Sequence, residues 1–128
     1  MAGELAAVVR ELFAAADRKD FAGALQTLDE EAQGVDEIAR RWLRGRAEAE
    51  AYFRQLEGMV EGIRTEVRDA HEVVWGDVGA VTCWVEQDYT LQCRQEHVSA
   101  PTSVVLRRGA GGWRIALFHS IPLPDDGA

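Results

Sequence analysis

The chain has 128 residues, 47% of them apolar and 28% charged, a composition that indicates one globular domain rather than a disordered chain. Its net charge of −8 disfavours nucleic acid as a partner, because an acidic surface repels phosphate groups. No apolar run reaches the ~18 residues of a membrane span, and the N-terminus lacks the basic and apolar segments of a signal peptide.

The first half of the chain predicts helices on either side of a short irregular stretch. Residues 3–20 place apolar side chains at helical spacing, and Asp20 can cap a second, short helix over 21–28. Residues 29–45 carry no long helical stripe, so they predict either two short strands or one strand and a turn. Residues 46–63 are again helical.

The second half predicts strands joined by Gly/Asp turns, which is typical of an antiparallel meander. The strand segments are 64–76, 78–91, 98–109 and 113–121. Since helices come first and strands later, the fold class is α+β, with the helices on one face of the sheet. We expect a single domain over 1–128, with a frayed tail over 122–128.

Alternation along two strands predicts which side chains face the helices. In the last strand the more apolar face comprises Trp113, Ile115, Leu117, His119 and Ile121, which leaves Arg114, Ala116, Phe118 and Ser120 outside. In the middle strand the inward set comprises Val81, Cys83, Val85, Gln87, Tyr89 and Leu91. Trp84 then lies on the outer face, where a large aromatic side chain suggests a covered surface such as a subunit interface.

Three segments resemble the SnoaL-like branch of the nuclear transport factor 2-like superfamily. They are GGWRIALFHSIP near the end, RWLRGRAEAEAYFRQL before and within the third helix, and WGDVGAVTC at a hairpin. The resemblance implies a cone-shaped fold in which N-terminal helices pack on a strongly curved, mostly antiparallel sheet around an internal cavity. It also implies homodimers through the outer sheet face. Members of the branch include isomerases, cyclases, dehydratases and proteins that only bind a ligand, so the fold does not decide the function.

Three residues are candidates for catalysis. His119 could be a general acid or base, because histidine is the side chain most often used for that work, or it is a hydrogen-bonded residue at the cavity rim. The resemblance to ketosteroid isomerases implies a cavity aspartate, and Asp36 with Tyr89 or His119 could supply that pair. Alternatively, Asp36 is a turn or cap residue, or it forms an ion pair with Arg40 or Arg41.

Seven residues are candidates for lining a ligand cavity, the alternative being an ordinary core. They are Trp42, Tyr52, Phe53, Trp75, Gln87, Trp113 and Leu117. We expect no metal, because the spacing of Asp69 and His71 is not distinctive, and no cofactor. Cys83 and Cys93 form no CxxC motif, which favours reduced thiols in a cytoplasm.

Three functional hypotheses follow. The leading one is binding of a small, largely apolar or aromatic molecule in the cavity. The second adds proton-transfer chemistry of the isomerase, cyclase or dehydratase type, and it requires two of the candidate groups to converge in one pocket. The third is a dimeric interaction module without chemistry, with an apolar outer face around Trp84, Val105 and Phe118.

Overall fold

A computed structural model describes residues 3–123, so most of the predicted tail, 124–128, lies outside the described residues. The helices are α1 (Glu4–Asp17), α2 (Phe21–Gln26) and α3 (Arg46–Met59). The strands are β1 (Leu28–Asp36), β2 (Leu43–Arg44), β3 (Val60–Trp75), β4 (Val78–Leu91), β5 (Arg94–Gly109) and β6 (Gly112–Ser120). The predicted α+β class, with helices before a mostly antiparallel sheet, is confirmed.

The six strands form one open, curled sheet in the order β2-β1-β6-β5-β4-β3. All neighbours are antiparallel except β1 and β6, which run parallel and bring Asp36 beside Ser120. Register shifts interrupt the β3–β4 ladder twice. Because a bulge bends its strand and increases the local twist, these shifts help a long sheet to curl around the helices.

Local sequence explains several element boundaries. Asp20 caps α2 by accepting a hydrogen bond from the amide of Gly23, as predicted. The predicted third helix is too long, because Val60 already pairs with Leu91 as the first residue of β3. β5 begins at Arg94 rather than at residue 98, since a tight turn with positive φ at Gln92 (49°) and Cys93 (71°) joins it directly to β4.

The main core lies between α1 and the concave face of the sheet. The predicted inward set of β4 is confirmed at its centre, where Val81 and Val85 are buried with Cys83 between them. Ile115 of β6 is fully buried against the same cluster. A second cluster surrounds α3 and includes Tyr52, Leu56, Val60 and Tyr89.

One extra residue in β6 overturns the predicted face of that strand. Leu106 pairs with Ile115, yet its neighbour Val105 pairs with Leu117, so Ala116 is an insertion in the ladder. Since side chains alternate with a period of two, one inserted residue exchanges the two faces beyond it. The inward side chains are therefore Ile115, Phe118 and Ser120.

The prediction that Leu117 and His119 face the core is wrong, as is the placement of Phe118 outside. Leu117 is 37% exposed, and His119 is also exposed. The ring of Phe118 instead lies 5.8 Å from that of Phe13 on α1.

No helix within residues 3–123 is both long enough and apolar enough to cross a membrane.

Candidate functional site

A pocket of about 130 Å³ lies between α1, α3 and the concave face of the sheet. Its walls are mainly apolar and come from elements distant in sequence. The apolar lining includes Phe13, Leu28, Leu43, Phe53, Leu56, Val85, Val98 and Phe118. The polar residues of the lining are Gln33, Asp36, Glu37, Tyr52, Gln87, Tyr89 and Ser120.

Asp36 is the acidic group of the pocket that is most enclosed by protein. It is the last residue of β1, where the chain turns, and its Oδ1 accepts hydrogen bonds from the amides of Ile38 (3.1 Å) and Ala39 (2.8 Å). The hydroxyl of Tyr52 on α3 donates to the same carboxylate, 2.9 Å from each oxygen. The side chain is thus held in one orientation by a turn on one side and a helix on the other.

Burial changes the acidity of this pair. Loss of solvent raises the pKa of Asp36 above its ordinary 3.8, although the hydrogen bonds from Ala39, Tyr52 and Ile38 act to lower it. Burial, followed by the neighbouring Asp36 charge, also raises the pKa of Tyr52. Tyr52 is therefore a firm hydrogen-bond donor to Asp36, and Asp36 is a stronger base than an exposed aspartate.

Two further polar groups of the pocket lie on β4. Tyr89 is 5% exposed, and its pKa is raised, first by burial and then by the charges of Glu96, Glu37 and Asp36. Gln87 donates from Nε2 to the hydroxyl of Thr65 at 3.0 Å.

The structure brings together five of the predicted site residues. Asp36, Tyr52, Phe53, Gln87 and Tyr89 all line the one pocket. The turn interpretation of Asp36 also holds, because the side chain caps the turn after β1 while it contacts the pocket. Arg40 forms its ion pair with Glu37 rather than with Asp36.

The other five predicted site residues do not line the pocket. Leu117, His119 and Trp42 lie on the outer side, with the rings of Trp42 and His119 6.3 Å apart. Trp75 is 61% exposed beside the Gly76 turn. Trp113 packs at the turn end of β6 under the guanidinium of Arg108, 5.1 Å from its ring centroid. The structure thus places the four apolar residues and the histidine outside this pocket.

Sequence reasoning missed much of the apolar wall. Phe13 and Leu56 carry a helical signal that predicts burial but cannot separate a pocket wall from a packed core. Simple alternation predicts the wrong face for Phe118 and Ser120, because no residue type marks the extra residue at Ala116.

A polar pair outside the pocket lies on β3. Asp69 and His71 hydrogen-bond to each other at 3.1 Å on the exposed surface of β3. Within residues 3–123, no group of three or more His, Cys, Asp or Glu side chains is arranged to hold a metal ion. Both cysteines are free, Cys83 buried and Cys93 exposed.

Comparison with known proteins decides the family. A profile of the SnoaL-like domain matches residues 5–124. The chain belongs to the SnoaL-like family. No curated protein sequence matches this SnoaL-like chain.

Solved structures share the fold of this SnoaL-like domain at low sequence identity. An NTF2-like family protein from Streptomyces avermitilis is 19% identical with a TM-score of 0.85, covering 95% of this chain and 96% of that one. A ketosteroid isomerase-like protein from Erwinia carotovora atroseptica is 18% identical, with a TM-score of 0.74 and coverages of 98% and 100%. The CaMKII hub of S. rosetta is 18% identical, with a TM-score of 0.80 and coverages of 93% and 94%. At such identities the likeness shows the fold alone.

Proposed function

We propose that the protein binds a small, largely apolar molecule in the pocket, with one polar group of the ligand against Asp36. The observation that carries this proposal is a carboxylate, held by Tyr52, facing an otherwise mostly apolar space. Few convergent polar groups in an apolar concavity are typical of small-molecule sites. An apolar cavity of about 150 Å³ binds benzene, so a pocket of about 130 Å³ suits a ligand built around one ring.

The test is to narrow the pocket from α3. Ala49 lines the pocket, whereas Ala47 on the same helix is exposed. We expect phenol to bind the native protein and anisole to bind more weakly, because anisole has no hydrogen for the Asp36 carboxylate. Ala49→Leu should weaken both by about tenfold or more, which is the cost of an overfilled site. Ala47→Leu is the matched control and should bind like the native protein.

Ligand-observed NMR titration measures both affinities, and thermal unfolding checks that each variant is folded. Absence of binding by the native protein, or equal binding by both variants, contradicts the proposal.

A proton-transfer activity is the second candidate, and the shared pocket of Asp36 and Tyr89 favours it. Asp36 would remove a proton from the carbon beside a ketone and return it two carbons further along, which moves a double bond without any cofactor. The hydroxyl of Tyr89 would donate a hydrogen bond to the enolate oxygen formed in between. The raised pKa of Asp36 suits a base that must also release its proton.

A one-ring substrate tests this activity directly. Conversion of cyclohex-3-enone to cyclohex-2-enone is followed by the absorbance of the conjugated product. We expect Asp36→Asn to lower kcat/KM by about 100-fold or more and Tyr89→Phe by about 10- to 100-fold. Native activity should rise with pH through the pKa of Asp36, because the carboxylate is the reactive form. No isomerisation above the buffer rate, or equal rates for the native protein and Asp36→Asn, rejects the activity.

We further propose that the protein forms a homodimer through the outer sheet face and works in the cytoplasm. Leu117 and Trp42 expose apolar surface there, and Trp84 is half-buried beneath Arg68. The likeness to a CaMKII hub supports self-association, and the two free cysteines support a reducing compartment. An interaction module without chemistry would use this same outer face. Phe118 would not contribute to it, because its ring faces the pocket.

A further inference from the structure

A chain of hydrogen bonds behind the pocket, from Asp17 through Thr65 to Gln87, fixes the orientation of the Gln87 side-chain amide. It begins at Asp17, the last residue of α1, where an acidic side chain is disfavoured by the partial negative charge of a helix C-terminus. The Asp17 carboxylate is satisfied by β3 instead. Its Oδ2 accepts from the amide of Thr65 at 2.9 Å, and its Oδ1 accepts from the Thr65 hydroxyl at 2.7 Å.

The Thr65 hydroxyl links Asp17 to the pocket. A hydroxyl has one hydrogen and two lone pairs, whereas a carboxylate only accepts. The single hydrogen of Thr65 is therefore committed to Asp17, so this hydroxyl can only accept from its second neighbour. That neighbour is Gln87, whose Nε2 lies 3.0 Å away.

This arrangement determines which end of the Gln87 amide is available to a ligand. Turning the amide over would place its carbonyl oxygen against lone pairs of Thr65, with no hydrogen between them. The amide nitrogen is thus held at the wall. Within residues 3–123 the structure records no protein donor for Gln87 Oε1. No buried polar side-chain atom of these residues lacks a partner, so Oε1 is accessible rather than fully buried.

We infer that Gln87 is a specificity-determining residue that presents a hydrogen-bond acceptor to the pocket, so that the preferred ligand carries two donors, one for Asp36 and one for Gln87. The inference rests on the proposed ligand binding and narrows its chemistry to small rings with two hydroxyl or N–H groups. Thr65 and Asp17 act as positioning residues, since they orient the amide without contacting the ligand.

Methyl ethers provide a graded test of this inference. Resorcinol and hydroquinone carry two donors, their monomethyl ethers carry one, and their dimethyl ethers carry none. For the native protein we expect the affinity to fall along each series, by about tenfold for each donor lost, the scale of one net hydrogen bond.

Variants then assign one of the two steps to Gln87. In the native protein the second donor should raise the affinity about tenfold, and Gln87→Leu should abolish this gain. The same variant should leave the affinity for the dimethyl ethers nearly unchanged. Thr65→Val should have the same selective effect, because it removes the hydroxyl that holds the Gln87 amide in one orientation. Thr65→Ser keeps the hydroxyl and should behave like the native protein. Gln95→Leu, an exposed glutamine on β5, is the control.

A measurement without ligand checks the positioning separately. The side-chain amide signals of Gln87, identified by their loss in Gln87→Leu, should exchange slowly with solvent in the native protein and in Thr65→Ser. They should exchange faster in Thr65→Val.

The outcomes separate the two proposals. If the dimethyl ethers bind but the series shows no preference for donors, or Gln87→Leu weakens every ligand equally, the role of Gln87 is overturned and ligand binding stands. If no compound of either series binds, both proposals fail together.

Discussion

At the scale of single residues, Asp36 is held by two parts of the chain at once. Backbone amides of the following turn and the hydroxyl of Tyr52 converge on its carboxylate. Those hydrogen bonds let an acid remain at an apolar pocket, yet desolvation outweighs them, and the pKa is raised. An acid kept at such a position against a free-energy cost is typical of functional sites.

The free-energy cost of burying the Asp36 carboxylate predicts that Asp36→Asn stabilises the protein at neutral pH. Because the folded-state pKa is raised above the unfolded value, the stability tied to the protonated form is present at low pH and is lost as pH rises through the folded pKa. Asparagine keeps an acceptor for the turn and carries no charge, so we expect a gain of about 1 kcal/mol.

Urea unfolding across a pH series measures this difference. The gap between the variant and the native protein should widen with rising pH and then level off. A gap that does not depend on pH would contradict a raised Asp36 pKa.

A second prediction at this scale concerns His119. Since it lies on the outer face beside Trp42, His119→Ala should leave binding of phenol and anisole within about twofold of native. Small surface changes away from a site have little effect on it. A tenfold or greater loss of affinity in the NMR titration would show that His119 contributes to the binding site.

At the scale of elements, side chains from the sheet complete the helices. α1 begins at Glu4 without a side-chain cap from Gly3. Glu72 on β3 takes that role across the fold, because its carboxylate accepts from the amides of Gly3 and Ala6. A negative group at this end also complements the helix dipole.

Removal of this cap should destabilise the whole domain, since α1 covers the core. We expect Glu72→Ala to lower the free energy of unfolding by about 1–2 kcal/mol, as loss of a helix cap does. Glu66→Ala on the same strand is the control, because Glu66 is exposed, and it should change stability by less than about 0.5 kcal/mol. Equal effects of the two changes in urea unfolding would remove the capping role.

At the scale of the whole molecule, charge and exposed apolar surface act in opposite directions on self-association. A net charge of −8 makes two copies repel each other, whereas Leu117 and Trp42 expose apolar area on the outer face. Salt screens repulsion over a Debye length of about 10 Å at 0.1 M, so the proposed dimer should tighten as salt increases.

Leu117→Arg tests which face is used. The introduced arginine would be buried without a partner at an apolar interface. We therefore expect the dissociation constant of the dimer to rise by about 100-fold or more. Val74→Arg is the control, because Val74 is similarly exposed at 48% but lies on the other face of the sheet. It pairs with Gly79, whose Cβ position faces Leu5 of α1. Sedimentation equilibrium that shows no difference between the two variants would exclude the outer face.

The sequence by itself determined the helices, the long strands and the inward face of β4, because these depend on periodicity and turn chemistry along the chain. The family resemblance was carried by three particular segments of the sequence. It also selected Asp36, Gln87 and Tyr89 as polar residues that needed an explanation. The tertiary structure decided which of them share a pocket, since α1, α3 and β4 meet only when the sheet curls. It also decided the placement of His119, because one unmarked extra residue at Ala116 reverses every side chain after it.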